Sequence, residues 1–219
     1  MGPAKWLPDR MALAFQLDHL AIAAPDLTSG ADFVRQCLGV EIPAGGSHPK
    51  MGTHNHFMRL GETEFLEVIA IDPSAPPPSQ PRWYALDRHG ERAPFLSTWI
   101  LRTNDLDAAC TVLPPSLGKP VTVSRGDLTW RITVPDDGSM PFEGAFPTIM
   151  QWPDGKTPGA TMAERGCRLS KLTVNHPQAH EIEKTLLPLF TDRRVVFRNS
   201  SVVGIKAEIE TPHGLRELG

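Results

Sequence analysis

Few of this chain's polar side chains fall where chemistry could use them. His19 stands inside the apolar run "LDHLAIAAPDL" and Glu67 inside "FLEVIAI". Alternation sets His19 on one face with Leu17, Ala21 and Ala23, and Asp18, Leu20 and Ile22 on the other. It sets Glu67 in a row with Phe65, Ile69 and Ile71. A carboxylate in such a row is costly to bury alone and needs a cation, a donor or water. His54 and His56, in "GTHNHFMRL", are two apart and share a face with Met58. Each has a plain structural reading beside the chemical one. His19 also reads as a hydrogen-bonded core histidine, Glu67 as the partner of Lys171 or an arginine, His54 as the cap of a turn, and His56 as packing. His48, His89, His176, His180 and His213 fall in loops or near helix ends and read as surface.

Three arginines follow another logic. Arg102 lies beside Trp99, Ile100 and Leu101, Arg125 ends a strand, and Arg131 alternates with Trp130 and Ile132. Facing a cavity, an arginine clamps a carboxylate or phosphate, with Arg102 the best placed of the three. Facing water, it is an ordinary strand residue. Trp99, Trp130 and Trp152 either wall a pocket or fill the core. The glycines of "PAGGSH" and "PDGK" match no phosphate-loop spacing.

The elements that must carry these residues recur. A strand over 17–23 ends at Pro25, and Asp26, Thr28 or Ser29 caps a helix that Gly39 stops. Strands near 40–48, "THNHFMRL" and "TEFLEVIAID" follow. The order strand, helix, three strands returns from "STWILRTNDLDAACTVL", and again, shorter, from "LSKLTVNHPQAHEIEKTLLPLF". "LAIAAPDL" and "ILRTNDL" align at strand, turn and Asp-Leu, which argues for duplication. The expected division is an N-terminal extension over 1–16 and one domain over 17–219. Its units run over about 17–72, 95–153 and 168–219. The linker 73–94, proline-rich and polar, reads as an exposed connector that is neither helix nor strand.

Composition excludes several classes. A net charge of -3 advertises no nucleic acid or anionic membrane surface. No apolar segment approaches the roughly 20 residues of a membrane span, and the first residues lack the apolar run of a signal peptide. Cys37, Cys110 and Cys167 are odd in number and far apart, so they read as reduced thiols of a cytoplasmic protein.

The unit order and five segments, "DHLAIAAPDL", "GTHNHFMRLG" with "FLEVIAIDP", "WILRTNDLDAA", "FPTIMQWP" and "ETPHG", resemble the glyoxalase-like domain proteins. These belong to the vicinal oxygen chelate superfamily, which also holds glyoxalase I, bleomycin-resistance proteins and extradiol dioxygenases. The resemblance implies an α+β fold of repeated βαβββ units forming curved mixed sheets around a cavity. It implies metal ligands on the first and last strands of a unit. His19 and Glu67 match those positions, with His54 as third ligand and Zn, Mn, Fe, Ni or Mg as the ion. Thr98, Lys171, Gln151 and Glu208 or Glu210 hold the matching positions of the other units and make no second His/Glu pair.

The function implied is a lyase, isomerase or dioxygenase acting on a small oxygenated molecule, the metal serving as Lewis acid and Glu67 as catalytic residue. Arg102, Arg125, Arg131, Gln151, Trp152 and His56 are the expected substrate-binding residues. The alternative is a metal-free protein that sequesters a small molecule. A homodimer is expected by analogy alone.

Overall fold

The computed structural model describes residues 13–219. Residues 1–12 of the expected extension lie outside them. The first unit is β1 (Phe15–Ala23), α1 (Leu27–Leu38), β2 (Ala44–His48), β3 (Thr53–Arg59) and β4 (Phe65–Ile71). A connecting segment holds α2 (Leu86–His89). The second unit is β5 (Phe95–Thr103), α3 (Leu106–Val112), β6 (Lys119–Arg125), β7 (Leu128–Val134) and β8 (Thr148–Gln151). The third is β9 (Arg168–His176), α4 (Ala179–Leu186), β10 (Val195–Asn199), β11 (Gly204–Thr211) and β12 (Gly214–Leu218). β1 starts two residues before the expected boundary.

The shared Asp-Leu step has a physical reason. Asp26 accepts the Ser29 N–H at 2.8 Å and Asp105 accepts the Ala108 N–H at 2.9 Å, so the same residue caps the helix of each unit. In α1 the apolar Val34 and Leu38 are buried, and Gly39 ends the helix in the left-handed conformation.

The first two units form one eight-stranded sheet, in the order β2-β3-β4-β1-β5-β8-β7-β6. In each unit the first strand runs parallel to the last, and β1 pairs antiparallel with β5 at the centre. The ends curl towards each other. Lys50 on the β2 side donates from Nζ to the Thr122 carbonyl of β6 at 2.8 Å, so the sheet is nearly a closed barrel.

The third unit keeps the order of elements but not the pairing. Its four strands lie as β10-β9-β11-β12, with β9 parallel to β10 and β12 at the edge. It packs on the outer face of the large sheet, where Leu169, Leu172, Val174 and Ala207 join Leu20, Leu66, Trp99 and Leu101 in one core. Two units therefore enclose the barrel and the third covers its back. A second cluster, with Ala21, Phe65, Ile69, Ile100, Trp130 and Met150, fills the inner face.

The connector departs from expectation. Trp83, Tyr84 and Leu86 are buried against the inner cluster. Arg82 donates to the Gly52 carbonyl and pairs with Asp87, while the Ala85 N–H reaches the Gly138 carbonyl. The aromatic pair and Leu86 supply the apolar area that the prolines and charges around them lack. Replacing Asp26 or Asp105 with Ala should each lower stability by about 1 kcal/mol. Urea unfolding measures this, and a loss at one position alone would break the equivalence of the two units.

Candidate active site

A β-bulge builds the site. Leu17 pairs with Leu101 but His19 pairs with Ile100, so Asp18 is an extra residue in β1. Leu17 thus joins Leu20 and Ile22 in the outer core, while Asp18 turns inwards with His19. This corrects the simple alternation, which set Asp18 outwards.

His19 Nδ1 lies 2.7 Å from Asp18 Oδ1, and His19 Nε2 lies 3.5 Å from Glu67 Oε2. The imidazole stacks on Phe65, its neighbour on β4, at 4.3 Å. Asp18 is held in turn by the Trp152 indole N–H at 2.8 Å and by Arg102 at 3.5 Å. Glu67 Oε1 accepts from Asn55 Nδ2 at 2.5 Å. Asn55 is oriented from the other side, because its Oδ1 accepts from the Gly46 N–H at 3.0 Å and from Arg125 at 3.2 Å. His48 Nδ1 meets Thr53 Oγ1 at 3.0 Å, which leaves Nε2 3.5 Å from Asn55 Nδ2. Asp18 stands behind His19, while His19, Glu67, Asn55, His48 and Arg125, with Trp83, Tyr84, Trp130 and Trp152, line a cavity of about 30 Å³. That is room for one or two waters.

The two glycines of "PAGGSH" fit here. A Cβ on Gly45 would lie 2.2 Å from Asn55 Oδ1, and one on Gly46 2.9 Å from Arg125 Cδ. Neither residue tolerates a side chain while Asn55 and Arg125 hold these positions.

Burial pushes the His19 pKa down, but the hydrogen bonds and charges of Asp18 and Glu67 outweigh it and raise it to about 9. Burial pushes Glu67 up, and His19, His48 and Asn55 outweigh that, bringing it to about 2. At neutral pH the pair is imidazolium and carboxylate. His48, by contrast, is driven by burial to about 4 and stays neutral.

Of the residues expected at a site, His19, Glu67, Arg125 and Trp152 meet in this cavity. His54 and His56 do not. They pair across β3 and β4 with Ala70 and Val68, and Val68 belongs to the outer core, so the residue between them, Asn55, faces in. Arg102 lies behind the site, spending its donors on the Leu17 carbonyl, Gln16, Thr63 and Asp18. Arg131 is paired with Asp107 at 2.7 Å, and Gln151 binds the Leu106 N–H and the Asn104 carbonyl. Lys171 pairs with Glu208, not Glu67.

Asp18, His48, Asn55 and the Trp83–Tyr84 pair went unread. His48 and His176 are buried rather than at the surface. The adjacent Asp-His pair was the available signal, since two polar neighbours in one buried strand invite a bulge.

A family model described as a glyoxalase-like domain matches residues 17–190. No curated protein matches the chain. A hypothetical protein from Staphylococcus aureus is similar in structure, with a TM-score of 0.56 and 14% identity over 87% of this chain and 88% of that one. Methylmalonyl-CoA epimerase from Mycobacterium tuberculosis gives a TM-score of 0.42 and 21% identity over 62% of this chain and 85% of that one. A methylmalonyl-CoA epimerase in complex with methylmalonyl-CoA and NH4+ gives 0.45 and 15% over 66% and 99%.

Linkage sets the pH response of the site. The stabilisation from His19 is complete below its unfolded pKa of 6.5 and is lost as pH rises through about 9. That from Glu67 is complete above 4.5 and lost as pH falls through about 2. Thermal unfolding from pH 6 to 10 should therefore show a falling midpoint, and Asp18→Asn should flatten the fall. Equal slopes in the two proteins would show that His19 is not held charged.

Proposed function

Because the chain belongs to the glyoxalase-like domain family of the vicinal oxygen chelate superfamily, we propose that it is an enzyme moving a proton at a carbon next to a carbonyl of a small oxygenated molecule. The observation that carries this reading is the 3.5 Å gap between His19 Nε2 and Glu67 Oε2 at the wall of a small cavity. A gap of that length lies outside the usual hydrogen-bond range of about 2.7–3.2 Å. The imidazolium N–H and the carboxylate thus face each other across a long, weak contact that a substrate can displace.

In this mechanism a substrate carbonyl oxygen accepts a hydrogen bond from the His19 Nε2–H, while Glu67 Oε2 removes the proton from the adjacent carbon. The C–H bond breaks, an O–H bond forms on Glu67, and the electron pair moves to the carbonyl oxygen as an enolate bonded by His19. Returning the proton to the other face or to a neighbouring position completes an isomerisation. Asp18 holds the imidazole at Nδ1, so Nε2 is the donor that faces the substrate. When substrate draws that donor away from Glu67, the carboxylate loses part of what keeps its pKa low and becomes a stronger base.

The superfamily implies a divalent ion, and the donor set does not fit one. His19 and Glu67 offer two donors, and among the described residues no three His, Cys, Asp or Glu side chains are grouped to hold an ion. Asn55 presents its NH₂ to Glu67 rather than its carbonyl. The Arg125 guanidinium stands behind it. These groups welcome negative charge and repel a cation, so no step is routed through a metal.

Deuterium uptake from D₂O, followed by proton NMR over a panel of small oxo acids, ketones and aldehydes, tests the reading. Glu67→Gln should slow exchange at least about a hundredfold, with His19→Gln similar. Exchange that survives in Glu67→Gln would refute it. So would exchange that EDTA abolishes and a divalent ion restores. Binding without exchange would favour a sequestering protein instead.

A further inference from the structure

We propose that the substrate is a small carboxylic acid, and that its carboxylate is held by the Arg125 guanidinium and the Trp83 indole N–H. The proposal rests on the proton-transfer reading of the same cavity and names the class of molecule it takes.

Two observations, both on residues that line the cavity, point to an anion. Arg125 lines the cavity half-buried, yet among the described residues it forms no ion pair. Its one hydrogen bond goes to Asn55 Oδ1, and the guanidinium lies over the Phe57 ring at 4.5 Å. The other arginines near this end of the barrel are spent: Arg102 on four acceptors, Arg82 on Asp87 and the Gly52 carbonyl. A planar, forked cation left with free donors beside a cavity matches a carboxylate in shape and charge. Burial also lowers the Arg125 pKa, and the nearby Glu67 carboxylate offsets this only in part.

Trp83 also lines the cavity, is 3% exposed, and has a buried Nε1 with no hydrogen-bond partner. Trp152, on the same cavity, gives its indole N–H to Asp18. A buried indole donor without an acceptor is uncommon enough to need an occupant. Trp83 stacks near-parallel on Trp130, and His48 meets both rings edge-on. The slot beside Arg125 is thus flat-walled, which suits a planar carboxylate better than a tetrahedral phosphate. A cavity with room for one or two waters admits even a short-chain acid only as the Trp83–Tyr84 turn moves. That turn carries Tyr84 and Ala85 at φ of 55° and 54°, a left-handed backbone that non-glycine residues hold only under constraint.

Calorimetric titration with acetate, pyruvate and 2-oxobutyrate, their neutral amides, and inorganic phosphate tests the assignment. Wild type should bind at least one of the acids, and its amide and phosphate at least tenfold more weakly. Arg125→Gln and Trp83→Phe, which keeps the ring, should each weaken the acid by roughly ten- to a hundredfold. Arg125→Lys should recover part of the loss. Glu67→Gln should bind the acid at least as tightly as wild type, because a like charge is gone, while losing deuterium exchange. Acid binding without exchange in wild type would refute the proton-transfer reading and leave the carboxylate site standing. Equal binding of the amides or phosphate, an unaffected response in Trp83→Phe and Arg125→Gln, or no binding of any of the acids would overturn the proposal.

Discussion

The cavity depends on one buried arrangement: an imidazolium between two carboxylates. His19, Asp18 and Glu67 are all under 9% exposed, and a lone charge at such depth would be shed by a change of protonation. Together they keep it. Removing His19 leaves two buried carboxylates without the cation between them, which is costlier than never having had the set. The cost is contained by a closed ring of donors. Trp152 and Arg102 complete Asp18, Asn55 completes Glu67, and Gly46 and Arg125 orient Asn55. Each donor comes from a different element, so the charged triad ties β1 through β6 and the residue after β8 into one object.

Barrel closure follows from the same requirement. Arg125 reaches Asn55 only because β6 returns to β2, and that approach passes over Gly45 and Gly46. The bulge at Asp18 does comparable work at the centre of the sheet. Without the extra residue, alternation would send either Asp18 or His19 into the outer core among Leu20, Leu66 and Leu101. The covering by α1 and the third unit makes that outer core dry, so the register of β1 has little freedom.

What was legible in the sequence was what period and duplication encode. The βαβββ order of the three units, the alignment of the two Asp-Leu steps and the row that Glu67 shares with Phe65 and Ile69 follow from local patterns that tertiary contacts did not overturn. The choice of Asp26 over Thr28 or Ser29 as cap needed the structure. Site residues were harder where a single register choice decides. In "THNH" the histidines were expected to face in, but pairing with β4 sets Asn55 inwards, and only the long-range partner settles which parity holds. His48 reads as surface because it ends the strand near 40–48, and only its packing against Trp83 and Trp130 shows that it turns inwards. Trp83 and Tyr84 sat in a proline-rich connector whose composition argues against packing, and they pack because the cavity mouth offers them apolar walls. The third unit was read as a further copy, and its order is right. Its pairing differs because β9 takes β10 and β11 as neighbours where β1 and β5 pair with each other.

That difference bears on function. A barrel half needs a first strand free on one side to meet its counterpart, as β1 meets β5. In the third unit both edges of β9 are taken, so it cannot add to a barrel and instead lays its apolar face on the existing one. Trp99, on the outer face of β5, shows the consequence. It is fully buried against Phe190 and Phe197 of the third unit and gives its indole N–H to the Ala145 carbonyl. The central seam is thus apolar on its outer side and charged on its inner side. A sheet so covered bends little at its centre, which leaves the Trp83–Tyr84 turn, hung between Gly52 and Gly138, as the side of the cavity with the fewest strand hydrogen bonds to break. Entry to the site is therefore best sought there and not through the barrel wall.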